Sequence, residues 1–373
     1  MLARARALLP ALREQGAQIE AGRRLTAEAV KMLVDVGVFR LLAPRDAGGL
    51  EASPRTFVDV IEALSIGDSA AGWCAMVGAS TSVAGGYLEP AVAREVFGGP
   101  QSTACGVFAP MGRGVAEGEG YRVTGRWPFA SGCEHAAYRL GGFLVASPGE
   151  GGMQMRQALF RAEDTQIIDT WTTSGLRGTG SHDIAVEAAF VPASHTLSLT
   201  GEPRVATALY RFPVFGLLAL GVAGVSMGIA RAALDAFAEL AASKRPMGAK
   251  RTLAERELVQ TEVARAEAAL RGARALVHAA LEEVSAAVAG GAPMALKDRA
   301  SLRLAATHAT EEATRAVDIV QRAAGGSAVY EANAFARHHR DAHVATQHGM
   351  VAPSTYTVVG RVLLGLPTDE AGL

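Results

Sequence analysis

The chain reads as an α+β protein in three zones, on three observations. Apolar residues recur at helical spacing up to about residue 103, alternate between 104 and 205, and return to helical spacing from 206 to 373. In the first zone, Leu25-Thr26-Ala27-Glu28 has the look of a helix start with Thr26 as N-cap. Ala29, Leu33, Val36 and Val38 follow at near-helical spacing, until Pro44, Gly48 and Gly49 break the pattern. A second helix is expected through Phe57, Ile61 and Leu64, and a third, built of small residues, over 69–86.

The middle zone is expected to be a compact β-domain. Tyr121, Val123, Gly125, Trp127 and Phe129 alternate, as do Ile184, Val186, Ala188 and Phe190, and Gly or Pro punctuates every run. The last zone carries long Ala-, Leu-, Glu- and Arg-rich segments, with one turn at Gly290-Gly291-Ala292-Pro293 and another at Gly325-Gly326.

Composition narrows the function classes. A chain of 373 residues is long enough for two or three subdomains sharing a large core. The formal net charge of −1 gives no reason to expect nucleic acid or an anionic membrane as partner. Cys74, Cys105 and Cys133 lack metal-ligand spacing, and an odd number argues against a disulfide framework, so a reducing cytoplasm is expected. The opening residues MLARARALLPALREQ carry Arg4, Arg6 and Arg13 through the apolar run and read as an amphipathic helix rather than a signal peptide. The most apolar stretch, 215–230, contains four glycines and is short for a membrane span; a buried bundle helix is expected there.

No G-x-G-x-x-G opens a helix after a strand, and no Walker A lysine, G-x-S-x-G or Ser-His-Asp set stands out. The glycines of Gly175 to Gly180 (GLRGTG) lie between β-type segments. Four stretches are more informative in combination. These are Gly125-Arg126-Trp127-Pro128-Phe129-Ala130-Ser131-Gly132-Cys133, the run from Val38-Phe39-Arg40 to Gly48-Gly49, Trp171 with Ser174 to Asp183, and Arg340-Asp341-Ala342-His343 followed by His348. In this order, over essentially the whole chain, they resemble the group D flavin-dependent monooxygenases. These are the oxygenase halves of two-component systems such as p-hydroxyphenylacetate hydroxylase, the steroid-phenol hydroxylases and dibenzothiophene monooxygenase.

The resemblance implies an acyl-CoA dehydrogenase-like fold, with an N-terminal helical domain, a central β-barrel-like domain and a C-terminal four-helix bundle. It implies reduced FMN or FAD from a separate flavin reductase, O2 as cosubstrate, and oxygen transfer to a small aromatic or biosynthetic substrate through a C4a-hydroperoxyflavin. By the same resemblance Phe129 and Ser131 border the isoalloxazine, with Ser131 near flavin N5 and O4, and His348 faces the flavin. Small, hydrogen-bonding neighbours and an apolar wall are what a reduced flavin that meets oxygen requires. The alternative for Trp127 and Phe129 is the core of an alternating strand. For His338, His339, His343 and His348 it is a solvated or inter-subunit face. His343 and His348 stand about 140° apart on a helix, so that pair offers no metal site, whereas Arg337, Asp341, Val344 and His348 share a face.

The resemblance further places flavin-phosphate anchors at Lys244 and Arg245, and Gln321, Gly325 and Gly326 at a neighbouring subunit's flavin, which implies a homotetramer. A helix C-cap and a plain inter-helix turn are the alternatives for these residues. The chain departs from the related phenol hydroxylases in one respect: Ser80 and Thr81 occupy the neighbourhood of their second active-site histidine.

A dehydrogenase of this fold needs a glutamate to take an α-proton. Counted from Arg340, Gly349 stands where one branch has it. The other branch carries it on the first bundle helix, yet no acidic residue occurs between Glu202 and Asp235. Both positions lack a carboxylate, which favours oxygenation over dehydrogenation. The rival readings are a flavin dehydrogenase or desaturase with another base, and a catalytically silent binding partner.

Overall fold

Thr26 does cap a helix: its hydroxyl accepts the amide of Ala29. In the computed structural model, which describes residues 1–147, 152–291, 294–330, 333–370 and 373, that helix is α3 (Ala27–Val36). It follows α1 (Leu2–Ala7) and α2 (Leu9–Gly22). After it come α4 (Pro54–Gly67), α5 (Ser69–Ser82) and α6 (Pro90–Phe97). Of the turn read at 290–293, Ala292 and Pro293 lie outside the described residues.

Strands then take over. They are β1 (Ala104–Glu117), β2 (Gly120–Trp127), β3 (Tyr138–Ala146), β4 (Met153–Arg161), β5 (Gln166–Ile168), β6 (Asp183–Pro192) and β7 (Thr196–Leu197). They form one seven-stranded sheet in the order β5-β6-β2-β1-β3-β4-β7, antiparallel except where β1 runs parallel to β3. Helices return with α7 (Ala208–Arg211), α8 (Val214–Ser243), α9 (Glu257–Ala289), α10 (Leu296–Ala324), α11 (Ala334–Ala345) and α12 (Ser354–Leu363).

Two features of the sheet differ from the simple alternation. β2 ends at Trp127, so Phe129 is not a strand residue: it turns out at φ +64° and is 69% exposed, while Trp127 is fully buried. In β6 the alternation holds at Ile184 and Val186 and then slips. Ala188 adopts φ +48°, its amide bonds the Thr124 hydroxyl, and the pairing shifts register between Val123 and Gly125. A bulge of this kind changes the parity of everything beyond it. Val191 therefore points inward and Phe190 outward.

The apolar stretch 215–230 becomes the interior of α8, packed between α4 and α10. By length and composition α8 passes for a membrane span, but 94% of its most apolar window is buried inside the protein. Its glycines serve approach: a Cβ on Gly228 would sit 2.5 Å from the Glu62 carbonyl of α4. Glu62, buried there, is held by Arg274 of α9 at 2.9 Å.

The three zones meet at Asp341. From α11 its buried carboxylate accepts the Ser69 hydroxyl at the start of α5 and the Leu176 amide of the 171–183 loop, the latter at 2.6 Å. Beside it Arg337 lies 3.9 Å from Asp68, the N-cap of α5. Gly175 lets the loop close in, since a Cβ there would stand 2.4 Å from the Arg340 carbonyl. Desolvation pushes the Asp341 carboxyl up to about 6.

Candidate active site

Where these zones join, Trp73 of α5 stands between Ser131 and His348. Its indole Nε1 donates to Ser131 Oγ at 3.0 Å, and its ring meets the His348 imidazole edge-on at 5.7 Å between centroids. The loop after β2 is stitched to residues 179–182 by backbone bonds from Ala130 to His182 and from Gly132 to Thr179. The geometry around Ser131 therefore rests on main-chain ladders as well as on its side chain.

The hydroxyl protons of this loop can be assigned by counting, because each hydroxyl has one. Thr179 Oγ1 donates to the Leu176 carbonyl at 2.7 Å. In its 2.6 Å contact with Thr179, Ser181 must then be the donor, and in the 2.6 Å contact between Ser131 and Ser181 the donor must be Ser131. Ser131 Oγ thus accepts from Trp73, has no proton left, and keeps one lone pair. Its amide is also engaged, with the Phe129 carbonyl at 2.9 Å. Ser131 offers the site an acceptor.

His348 offers the opposite. Its Nδ1 accepts the Met350 amide at 3.2 Å, which places the proton of the neutral ring on Nε2. Burial, aided by the nearby Arg303 guanidinium, lowers its pKa to about 4. The ring is neutral from pH 5 upward, so titration near 6.5, its ordinary value, is not a property of this site. His343 lies elsewhere on α11, with Nε2 2.9 Å from Asp318 of α10, and His339 joins the same carboxylate at 3.3 Å. His338 is different again: desolvation holds it down at about 3.

Phe129 leans edge-on against Trp171, 6.1 Å between centroids, and the exposed ring leaves an apolar shelf beside the Ser131 loop. Trp127 takes the core role, with its indole donating to the Gly142 carbonyl at 2.7 Å. Ser80 and Thr81 bond back onto their own helix, to Met76 and Val77, and supply no base. Among the described residues no carboxylate bonds Trp73, Ser131 or His348, and Gly349 only opens a short 3-10 turn.

The other expected anchors gather at the far end of the bundle. Lys244 donates to the Ala324 carbonyl at 2.6 Å, capping the end of α10 rather than its own helix. Arg245 is exposed near Glu255. Gln321 reaches the Ala328 carbonyl at 3.4 Å while its Oε1 is buried without a partner. Gly325 takes φ +57° and ψ −142°, a glycine conformation, and open space lies over it and Gly326. Arg303, which bonds the Met350 carbonyl next to His348, stands 21 residues before Ala324 on α10. At 1.5 Å per residue the two clusters are about 30 Å apart, farther than one flavin spans.

The sequence reading missed Trp73, Thr179, Ser181 and Asp341 as parts of the site. Thr179, Ser181 and Asp341 lie inside stretches that carried the resemblance, whereas Trp73 lies in none of them. Nothing along the chain shows that an indole on α5 bridges two loops about 60 and 275 residues away.

Residues 220–353 match the family described as acyl-CoA dehydrogenase, C-terminal domain. The chain is 33% identical to an indole-3-acetate monooxygenase of Pseudomonas putida, covering 96% of this chain and 92% of that protein. It is 29% identical to the oxygenase subunit HsaA, a flavin-dependent monooxygenase of Rhodococcus jostii, covering 98% of each. Among solved structures, a 3-HSA hydroxylase from Rhodococcus superposes with TM-score 0.92 at 26% identity, over 100% of this chain and 98% of that one. XiaF from Streptomyces, in complex with FADH2 and glycerol, gives 0.90 at 25% identity, over 98% and 95%. The chain belongs to the flavin-dependent monooxygenases of the acyl-CoA dehydrogenase fold, as an oxygenase component that uses reduced flavin and O2.

Proposed function

We propose that this oxygenase hydroxylates a small aromatic molecule in the seam between Ser131 and His348, with reduced flavin delivered by a separate reductase. The observation that carries this reading is the polarity of the two residues: Ser131 can only accept, His348 stays neutral and can donate, and Trp73 holds them in one site. Reduced flavin has a proton on N5 that oxidised flavin lacks, so an acceptor-only Ser131 favours the reduced form. Phe129 and Trp171 give its ring an apolar shelf. Bound there, reduced flavin supplies the electrons that activate O2. His348 Nε2–H stabilises negative charge developing on oxygen, and Trp73 and Phe129 keep water away from it. The aromatic class rests on the relatives, whose names give indole-3-acetate and resorcinol. FADH2 is favoured over FMNH2 on the same footing, since XiaF holds FADH2 and the Rhizobium resorcinol hydroxylase is described as FADH2-dependent.

The distant cluster at Lys244, Arg245, Gln321, Gly325 and Gly326 supports a homotetramer in which a neighbouring chain completes each flavin site. Exposed Met247, Val329 and Tyr330 at that end fit burial in such a contact. The cysteines, all unpaired and buried, suit a reducing cytoplasm.

The test is anaerobic loading followed by stopped-flow mixing with oxygenated buffer. The purified protein is expected nearly colourless, to bind FADH2 more tightly than FAD, and to couple oxygen consumption to hydroxylated aromatic product. A stoichiometric yellow protein that acyl-CoA alone bleaches would overturn the reading.

A further inference from the structure

One cluster of side chains lies outside the seam. On α11, His339 and His343 hold their rings side by side, 4.5 Å between centroids. Both turn Nε2 to the same carboxylate oxygen of Asp318 on α10, at 3.3 and 2.9 Å. One donor atom from each of the three residues lies within 4.8 Å of the other two. The other histidines of this stretch face elsewhere: His348 meets Trp73, and His338 is buried near Arg337 and Arg13.

Hydrogen bonds account for these contacts, since each neutral ring has one proton to donate. They leave the charge unanswered. Desolvation, and then the field of His343, keeps His339 below its ordinary value, so at neutral pH its ring does not balance the Asp318 carboxylate. Among the described residues no lysine or arginine pairs with Asp318. Arg315 on the same helix is committed to Glu312, and Arg340, whose field reaches His339, is committed to Glu20. Arg322, one turn further along α10, forms no ion pair with it.

Two imidazoles and a carboxylate that converge with negative charge are a donor set for a divalent ion of intermediate softness. Histidines four residues apart present their nitrogens on one helix face, as helical zinc sites require. Zinc holds nitrogen and carboxylate oxygen at about 2.0–2.2 Å, so two donors on a tetrahedral ion stand roughly 3.3 Å apart. The observed N···O separations of 3.3 and 2.9 Å are already close to that. The three side chains are 36 to 47% exposed, which leaves the fourth position to water.

We infer that His339, His343 and Asp318 bind one zinc-like divalent ion per chain, which ties α11 to α10. Each ring would keep its proton on Nδ1 and give Nε2 to the ion. Because α11 also carries Asp341 to the Leu176 amide, a clamp on its outer face steadies that helix without touching the seam. The site stands independently of the hydroxylase reading.

The test strips untagged protein with a chelator and titrates it with Zn2+ by calorimetry, with Co2+ absorption as a second probe. Wild type is expected to take one Zn2+ per chain and to gain roughly 3–5 °C in melting temperature at saturation. His339→Ala, His343→Ala and Asp318→Asn should each weaken binding by about a hundredfold, at least the cost of losing an outer partner of a metal ligand. His278→Ala is the control, since that ring faces Asp59 without a second imidazole, and it should bind as wild type does. Melting of the metal-free variants reports folding separately, and Asp318→Asn, which keeps the side chain's shape, carries the test if a histidine variant is destabilised. No saturable binding, binding retained in Asp318→Asn and the histidine variants, an equal loss in His278→Ala, or one Zn2+ per two chains overturns the assignment.

Discussion

The two ends of α10 are built on different principles. Near Arg303, Ser131, Trp73, Ser181 and Thr179 form a closed chain in which every proton has a destination, and His348 has its tautomer fixed by a backbone amide. Near Ala324, Gln321 keeps a buried oxygen without a partner, Gly325 and Gly326 face open space, and Met247, Val329 and Tyr330 are exposed. One end is organised before anything binds; the other leaves a buried acceptor unpartnered and apolar side chains uncovered. Chemistry needs a rigid first contact, and the far end fits the shared site of the homotetramer proposed above, which only assembly would finish.

The largest effect should come from cutting what holds the organised end together. Asp341→Ala leaves the Ser69 hydroxyl and the Leu176 amide buried without an acceptor, and about 3 kcal/mol of stability should go, read as a lowered urea midpoint. Asp341→Asn keeps an acceptor for Leu176 and removes a carboxylate that burial already disfavours, so it should cost much less. Equal losses in the two variants would mean that the charge itself is needed.

His348→Ala comes next. It should still bind reduced flavin but lose more than nine-tenths of hydroxylation, with oxygen diverted to hydrogen peroxide. His343→Ala, which only parts from Asp318 on the outer face, should stay within about twofold of wild type, allowing for the modest worth of an exposed pair. If both variants behave alike, the contrast between the two histidines fails.

Acid should separate folding from chemistry. His135 and His348 are held at about 4 and His338 at about 3, all lowered first by burial. In unfolded chain the same imidazoles take up protons near 6.5, so the unfolded state binds more protons below that pH. Stability contributed by the neutral rings is complete above about pH 6.5 and is lost as pH falls towards 4. Coupling of oxygen to product should stay flat from pH 6 to 8, since His348 does not titrate there. A step near pH 6.5 in the coupling ratio would contradict the neutral-donor role.

Ser131→Ala should raise peroxide release with a loss of about 1–2 kcal/mol of reduced-flavin stabilisation, the worth of a hydrogen bond at a desolvated site. Trp73→Phe tests the same chain from the other side and should give a smaller loss, because it removes a donor to Ser131 and leaves the acceptor in place. The smallest effect on the isolated protomer belongs to Lys244→Ala, within about 1 kcal/mol by thermal unfolding. On the homotetramer proposed above, its consequence is expected instead in subunit dissociation and flavin affinity, both dependent on protein concentration. A large loss of protomer stability would place Lys244 as a helix cap alone.

By itself the sequence determined the order of periods, and with it the helical zones and the sheet between them, because burial of one face writes itself into spacing of 3.6 or 2. It also determined that both dehydrogenase base positions lack a carboxylate, since that is a statement of residue identity. What it could not carry was parity beyond the Ala188 bulge, the release of Phe129 from the strand, or the direction of the hydroxyl protons at Ser131. Those depend on backbone angles and on partners from distant segments. Only the tertiary structure brought Trp73 between Ser131 and His348, and Asp341 onto Ser69 and Leu176. Hydrogen bonds and desolvation act over a few ångströms in space, and chain order does not record which segments come that close.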